Sequence, residues 1–319
     1  MNLSFVNSTN INNQNIFYKE LKVNHLKIIY KTLLGDEPDA ELVFVNFNNI
    51  LKDLTSYSED ELNQLDFITY FILLLEIRCT SIGNTIITDL PDKVNTSVEI
   101  NIHKFIDILK EIITTNNVFF KEEFKDIAIT YRYPCIKDIL KINNSTTFDS
   151  FYPGLVDTIQ VKDTIIDFKK INKSDYTTIL NQLPAKITSV IIKKAYSIVE
   201  QFNKVNLLQN TFGLEDKHLY FNFNIKNLIS ILKLVFGNQL LSLYDNILAL
   251  AKVGNMSPEY IENCTPGEYI LFTKRLEQLN SQQNKQSQET PIQSDIADDL
   301  NPYESPDLPP ITSRSEFTP

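Results

Sequence analysis

Tryptophan is absent from this 319-residue chain, glycine occurs seven times and cysteine three times. So few glycines leave little material for phosphate-cradling loops, and there is no G-x-G-x-x-G, P-loop or G-x-S-x-G. The usual nucleotide-binding and serine-hydrolase signatures are thereby excluded. Cys79, Cys135 and Cys264 stand far apart and form no C-x-x-C pair. They read as reduced thiols of a protein made in cytosol, not as a disulfide framework or a structural zinc site. His25, His103 and His218 are equally isolated, so no metal and no cofactor is expected. Carboxylate pairs such as Glu122/Glu123 and Asp298/Asp299 are adjacent in sequence and do not share a helix face, so no catalytic residue is nominated and the chain does not read as an enzyme. Basic charge is short as well: 30 Lys and Arg against 40 Asp and Glu give a net charge of −10. With no basic stripe to follow a phosphate backbone, nucleic acid is not an expected partner. The longest apolar run, Phe67 to Ile77, is interrupted by Thr69 and Glu76 and is roughly half the ~20 residues that span a bilayer. It predicts a buried helix and no stable membrane insertion. The first residues lack the basic region and apolar core of a signal peptide.

What is present is a segment that occurs twice. Residues 98–110, VEINIHKFIDILK, recur as 221–233, FNFNIKNLISILK, at a constant offset of 123. Asn101/Asn224, Ile102/Ile225, Ile106/Ile229, Ile108/Ile231, Leu109/Leu232 and Lys110/Lys233 are identical, and Phe105/Leu228 is a like-for-like apolar change. In both copies a period-two stretch runs into helical apolar spacing, so each reads as a strand feeding a helix and the chain as internally duplicated.

The rest of the pattern predicts a helix-rich α+β fold. Residues 1–16 are Asn-rich and read as a flexible arm, followed by a helix over about 16–34 that stops at Gly35-Asp36-Glu37-Pro38. A second helix is expected over 41–54. Ser58-Glu59-Asp60-Glu61 is a capping box opening a strongly apolar helix that continues to about Cys79 and ends at Ser81-Ile82-Gly83-Asn84. Strands over 85–90 and 96–102 form a hairpin leading into the first repeat helix. Ile127 to Pro134 alternates and ends at a proline, which suggests a strand at a sheet edge. More strand material lies at 157–168, then helices at 174–183 and 185–208. The second repeat predicts a strand at 219–223 and a helix at 226–236. An apolar helix follows from Leu240, and Ser257-Pro258-Glu259 and Thr265-Pro266-Gly267-Glu268 mark two helix starts. Residues 280–319 hold six of the thirteen prolines and seven acids against two bases, a composition that cannot offset its ordering entropy. The domains expected are an arm (1–16), an N-terminal α+β lobe (17–150), a C-terminal α+β lobe (151–279) and a disordered acidic tail (280–319); the tail reads as solvated, with a docking peptide around Leu300-Asn301-Pro302-Tyr303 as the alternative.

Two motifs stand out. Arg78 ends a helix that is otherwise almost wholly apolar, where it can bond to the last carbonyls or face a partner. The run 65–83, LDFITYFILLLEIRCTSIG, resembles the Asp, apolar helix, Arg-x-x-Ser-x-Gly signature of the baseplate hub and hub-assembly proteins of T-even-like contractile-tailed bacteriophages. The order of the other parts is similar too, including the Tyr131-Arg132-Tyr133-Pro134 strand and a Thr-Pro-x-Glu helix near the end. The resemblance spans about residues 16–279. It implies a non-enzymatic subunit or assembly chaperone of a tail baseplate hub, present in the host cytoplasm during assembly and in the virion if retained. Its partners would be other phage tail or baseplate proteins, and its contact or structural residues Arg78, Ser81, Gly83, Tyr131, Arg132, Tyr133 and Pro134. Members of that group often carry cysteine pairs before the repeated strands; 86–94 and 211–218 have none here, so no metal role is carried over. The alternative is a soluble two-lobed adaptor or chaperone-like binding protein unrelated to phage. Oligomeric state is not readable from these features.

Overall fold

The computed structural model describes residues 7–11, 14–89, 97–116, 121–144, 152–168, 171, 173–203, 205, 220–237 and 240–288. The chain divides into a unit Met1–Leu276 and a second unit Glu277–Pro319. Buried residues from both 17–150 and 151–276 contribute to one hydrophobic core.

Residues 1–6 of the expected flexible arm lie outside the described residues, whereas 7–11 and 14–18 pair as an antiparallel hairpin, β1 (Asn7–Ile11) and β2 (Gln14–Tyr18). Thr9, Ile11, Ile16 and Tyr18 are buried while their neighbours face out, the alternation of a half-buried ribbon. Because β2 takes residues up to Tyr18, the first helix starts later than its apolar spacing suggested: α1 is Val23–Thr32. Helix α2 (Ala40–Leu54) is capped by Asp39, whose carboxylate accepts from the amides of Glu41 and Leu42. The Ser58/Glu61 capping box forms, but it opens only the six-residue α3 (Glu59–Gln64). A new helix, α4 (Phe67–Ser81), starts after Asp66.

Helix α4 is buried on every side, from Phe67 to Leu75 and again at Ile77, Arg78 and Ser81. A helix that is apolar all round has to be enclosed, and here its neighbours enclose it. After α4 come the antiparallel pair β3 (Thr85–Asp89) and β4 (Ser97–Asn101), with Thr85 opposite Asn101, and helix α5 (Ile102–Asn116), which packs on α4. A four-stranded antiparallel sheet then follows in simple order: β5 (Lys121–Phe124), β6 (Ile127–Tyr131), β7 (Val156–Val161) and β8 (Thr164–Asp167). Strand β6 is paired on both sides, not at the edge as the proline suggested. Pro134 lies past the strand end, where a missing N–H costs the ladder nothing.

Helix α6 (Ile136–Asn144) separates β6 from a short turn of 3-10 helix at Tyr152–Leu155. Helices α7 (Lys173–Asn181) and α8 (Ala185–Asn203) follow β8, and α9 (Ile225–Phe236), α10 (Leu240–Lys252), α11 (Pro258–Asn263) and α12 (Pro266–Gln288) complete the order. Helix α12 runs into the stretch assigned to the tail, because 280–288 is rich in Gln, with a Lys and no proline. Residues 289–319, including Leu300 to Tyr303, lie outside the described residues.

Among the described residues the two copies of the repeat have their caps and helices in common. Asn101 Oδ1 accepts from the amide of His103 and Asn224 Oδ1 from that of Lys226, each at 2.9 Å. Ile102/Ile225, Phe105/Leu228, Ile106/Ile229 and Leu109/Leu232 are buried in both helices. Before the second helix, however, the strand expected at 219–223 is not formed over Phe221–Phe223: Tyr220 makes a lone bridge and Asn222–Phe223 bend. The alternation there has another origin. Phe221 and Phe223 both insert rings against Phe67, at centroid distances of 5.0 Å. Residues 206–219, with most of the second copy's lead-in, lie outside the described residues.

Candidate functional site

The nominated residues sit at opposite ends of α4, which its 15 residues place about 22 Å apart. At the C-terminal end Arg78 is only 6% exposed. Its Nε donates to the carbonyl of Val235 at 3.1 Å, in the last turn of α9, and Nη2 to the carbonyl of Thr85 at 3.3 Å. A third bond, from Nη1, goes to the carbonyl of Gly83. One guanidinium thus holds the C-terminal end of α9, the turn after α4 and the start of β3. Among the described residues no carboxylate neutralises it; the partial negative charge of the α9 terminus does so in part. Burial pulls its pKa below the ordinary value, but a guanidinium remains charged in a protein.

Ser81 and Gly83 serve the same junction. Ser81 Oγ accepts from the Leu21 amide at 2.8 Å and donates to the Ile77 carbonyl at 2.6 Å, tying the segment between β2 and α1 to α4. Gly83 has φ of +125°, a backbone geometry that other residues rarely adopt, and it turns the chain so that its carbonyl meets Arg78.

At the N-terminal end, Asp66 caps α4 by accepting from the amides of Ile68 and Thr69, at 3.1 and 2.9 Å, and from the Thr69 hydroxyl at 2.6 Å. The amide of Phe67 donates to the carbonyl of Pro134 at 2.9 Å, and Asp66 forms a bridge with Cys135. The Tyr131 to Pro134 segment is therefore docked on the start of α4. Tyr131 and Tyr133 are buried, and the Tyr133 ring meets Phe202 edge-on at 5.5 Å. Arg132 Nη2 donates to Asp138 Oδ2 at 3.0 Å, and the same oxygen accepts from the Cys135 amide at 3.2 Å and lies 3.1 Å from its thiol. Asp138 stands at the third position of α6, so it anchors that helix start while pairing with Arg132. Around Phe67 the rings of Phe202, Phe221 and Phe223 close a cluster joining α4, α8 and the approach to α9.

A family model described as "T4 bacteriophage base plate protein" matches residues 2–227, more than two thirds of the chain. The chain belongs to this baseplate protein family. No curated protein and no solved structure matches it. The matched region runs from before β1 to the first turn of α9 and contains all seven nominated residues. In this baseplate protein the structure unites Arg78, Ser81 and Gly83 at one end of α4 and the Tyr131 to Pro134 segment at the other; it does not join the two groups into one site.

Three contributors to the baseplate protein's α4 junctions were not nominated from sequence. Asp66 and Asp138 act as helix-start acceptors, a role that an Asp one or three residues into such a boundary can signal. Glu76 is visible in sequence only as an interruption of the apolar run, with nothing local to name its partners. It breaks the apolar face of α4, accepts from Lys110 of α5 at 2.8 Å and from the Thr9 hydroxyl at 2.9 Å, and so ties the N-terminal hairpin and α5 to the central helix. Its charge, after burial, helps push the Tyr18 hydroxyl up to about 12. Burial also raises the thiols of Cys79, to about 11, of Cys135 and of Cys264, so all three stay protonated near neutral pH. Among the described residues no group of three or more His, Cys, Asp and Glu side chains could hold a metal, and no helix is long and apolar enough to cross a membrane.

Proposed function

We propose that this protein is a non-enzymatic structural or assembly subunit of the baseplate hub, working through contacts with other tail proteins. The family match over residues 2–227 carries the reading. The use made of the polar side chains supports it. Arg78 and Ser81 bond to backbone groups of neighbouring elements, Asp66 caps α4 itself, and Asp138 holds Arg132 and the Cys135 amide beside the start of α4, so that α4 is braced at both ends. A subunit that has to present fixed surfaces in a large particle needs this kind of bracing. The protein would be made in the host cytoplasm and join the baseplate there. No observation supports the soluble adaptor unrelated to phage.

Deletion of the gene from its phage, with complementation from a plasmid, tests the reading. Electron microscopy of lysates is expected to show loss of complete baseplates and tails, restored by the wild-type chain. Infectious phage with normal tails in the deletion would overturn it.

A further inference from the structure

Helix α10 leaves an apolar stripe in solvent. Leu243, Ile247 and Leu250 face the core, whereas Leu241, Tyr244 and Leu248 are 80%, 37% and 52% exposed. The spacing i, i+3, i+7 places these three on one helix face. Single exposed apolar side chains need no explanation, but a stripe of them marks a contact surface. Lys27 and Lys31 of α1 each hold an ammonium 5.7 Å from the centre of the Tyr244 ring, covering one flank. The other flank carries Asp245 and Lys252, two turns apart, and neither has an ion-pair partner among the described residues. The stripe lies beyond the region matched by the family model.

We propose that this face pairs with the same face of a second copy of the chain, the two α10 helices running antiparallel about a twofold axis beside Leu248. Charge complementarity selects this occupant. A twofold interface is self-complementary, so each flank meets its own reversed copy. Asp245 lies three residues before Leu248 and Lys252 four after it; with the axis beside Leu248, Asp245 of each copy faces the partner's Lys252. Two ion pairs then form from charges that are unpaired among the described residues of one chain, and Leu248 packs against its counterpart. One helix face is smaller than the roughly 800 Å² per partner of a stable complex. The dimer is therefore weak and its population rises with concentration. This inference does not rest on the hub assignment, because self-association is read on the isolated chain.

Sedimentation velocity of the full chain over about 1 to 200 μM, a range suited to micromolar association, provides the test. The wild type is expected to show a reversible monomer–dimer equilibrium, and Leu248→Asp to remain monomeric throughout. Asp245→Lys and Lys252→Asp should each weaken the dimer about tenfold, since each places two like-charged pairs at the interface. The double variant, with both charges exchanged, should recover it. All three side chains are exposed, so thermal melts should be unchanged, which separates lost pairing from lost folding. A monomeric wild type across the range, or a double variant no better than the single ones, would overturn the proposal. A monomeric wild type combined with loss of Leu248→Asp from assembled tails would also overturn it and give the face to a different tail protein.

Discussion

Arg78→Ala removes one cation from the junction of α4, α9 and β3, and its cost follows from what is left behind. The bond to Val235 is buried, so truncation strands a carbonyl at the end of α9 without access to water, at about 1–3 kcal/mol. The Gly83 and Thr85 carbonyls are only partly buried and can rehydrate, so they add less. Loss of the aliphatic stem opens space against the end of α9. Relief of the guanidinium's own desolvation works the other way. The net expectation is a loss of about 2–4 kcal/mol, several times the ~1 kcal/mol or less of an exposed helix-end cation. Arg78→Lys keeps the charge but not the fork, and should lose about half as much. Urea unfolding followed by far-UV circular dichroism gives the midpoints, and a constant slope guards against a changed unfolding mechanism. Hydrogen exchange supplies a local readout: the Gly237 amide, bonded to the Lys233 carbonyl at 2.8 Å, should exchange faster in Arg78→Ala. An alanine variant within about 0.5 kcal/mol of wild type, with unchanged exchange at α9, would refute the reasoning.

Leu74 is 3% exposed within α4, and Leu74→Asp should cost about 3–5 kcal/mol by burying an unpaired carboxylate, read as a large fall in melting temperature; a shift of only a degree or two would show that α4 is not enclosed as described. Burial lowers the pKa of His25 from its ordinary 6.5, and Nδ1 accepts from the Lys22 amide, so the folded imidazole is neutral. The unfolded chain binds the extra proton, hence stability should fall as pH drops from 6.5 through the lower folded value, and His25→Gln should flatten that part of the profile. If the slope persists unchanged in the variant, His25 is not its source. The raised thiols of Cys79, Cys135 and Cys264 should react slowly with a disulfide reagent at pH 8 and all three rapidly in denaturant. Rapid titration of a thiol in the folded protein would contradict their placement.

Local chemistry was the legible part of the fold. The Ser58/Glu61 box, the Ser257 and Thr265 starts and the hairpin before α5 all carry short-range signals, and the structure holds them. The all-round apolar character of α4 foretold its burial, though not its start. The Ser58 cap predicts a longer helix that runs through Asp66; in the structure Asp66 is itself a cap, and pairing with Cys135 and Pro134 holds the break. The N-terminal hairpin was obscured by its asparagines, which mask an alternation that becomes meaningful only once Thr9 finds Glu76. Likewise the strand-like rhythm of 221–223 is the spacing of two phenylalanines entering an aromatic cluster from a bend. In the candidate site, Arg78 could be singled out from its position at the end of an apolar helix. Its bond to Val235, 157 residues away, could not, because no local pattern encodes which carbonyl a buried cation will meet.

Quantitative mass spectrometry of purified phage tails, and of baseplate intermediates from arrested infections, tests the assignment to the baseplate most directly. The account predicts peptides of this chain in at least one of these fractions, at a fixed ratio to other baseplate proteins. Absence from both, in lysates where the chain is plainly expressed, would contradict it.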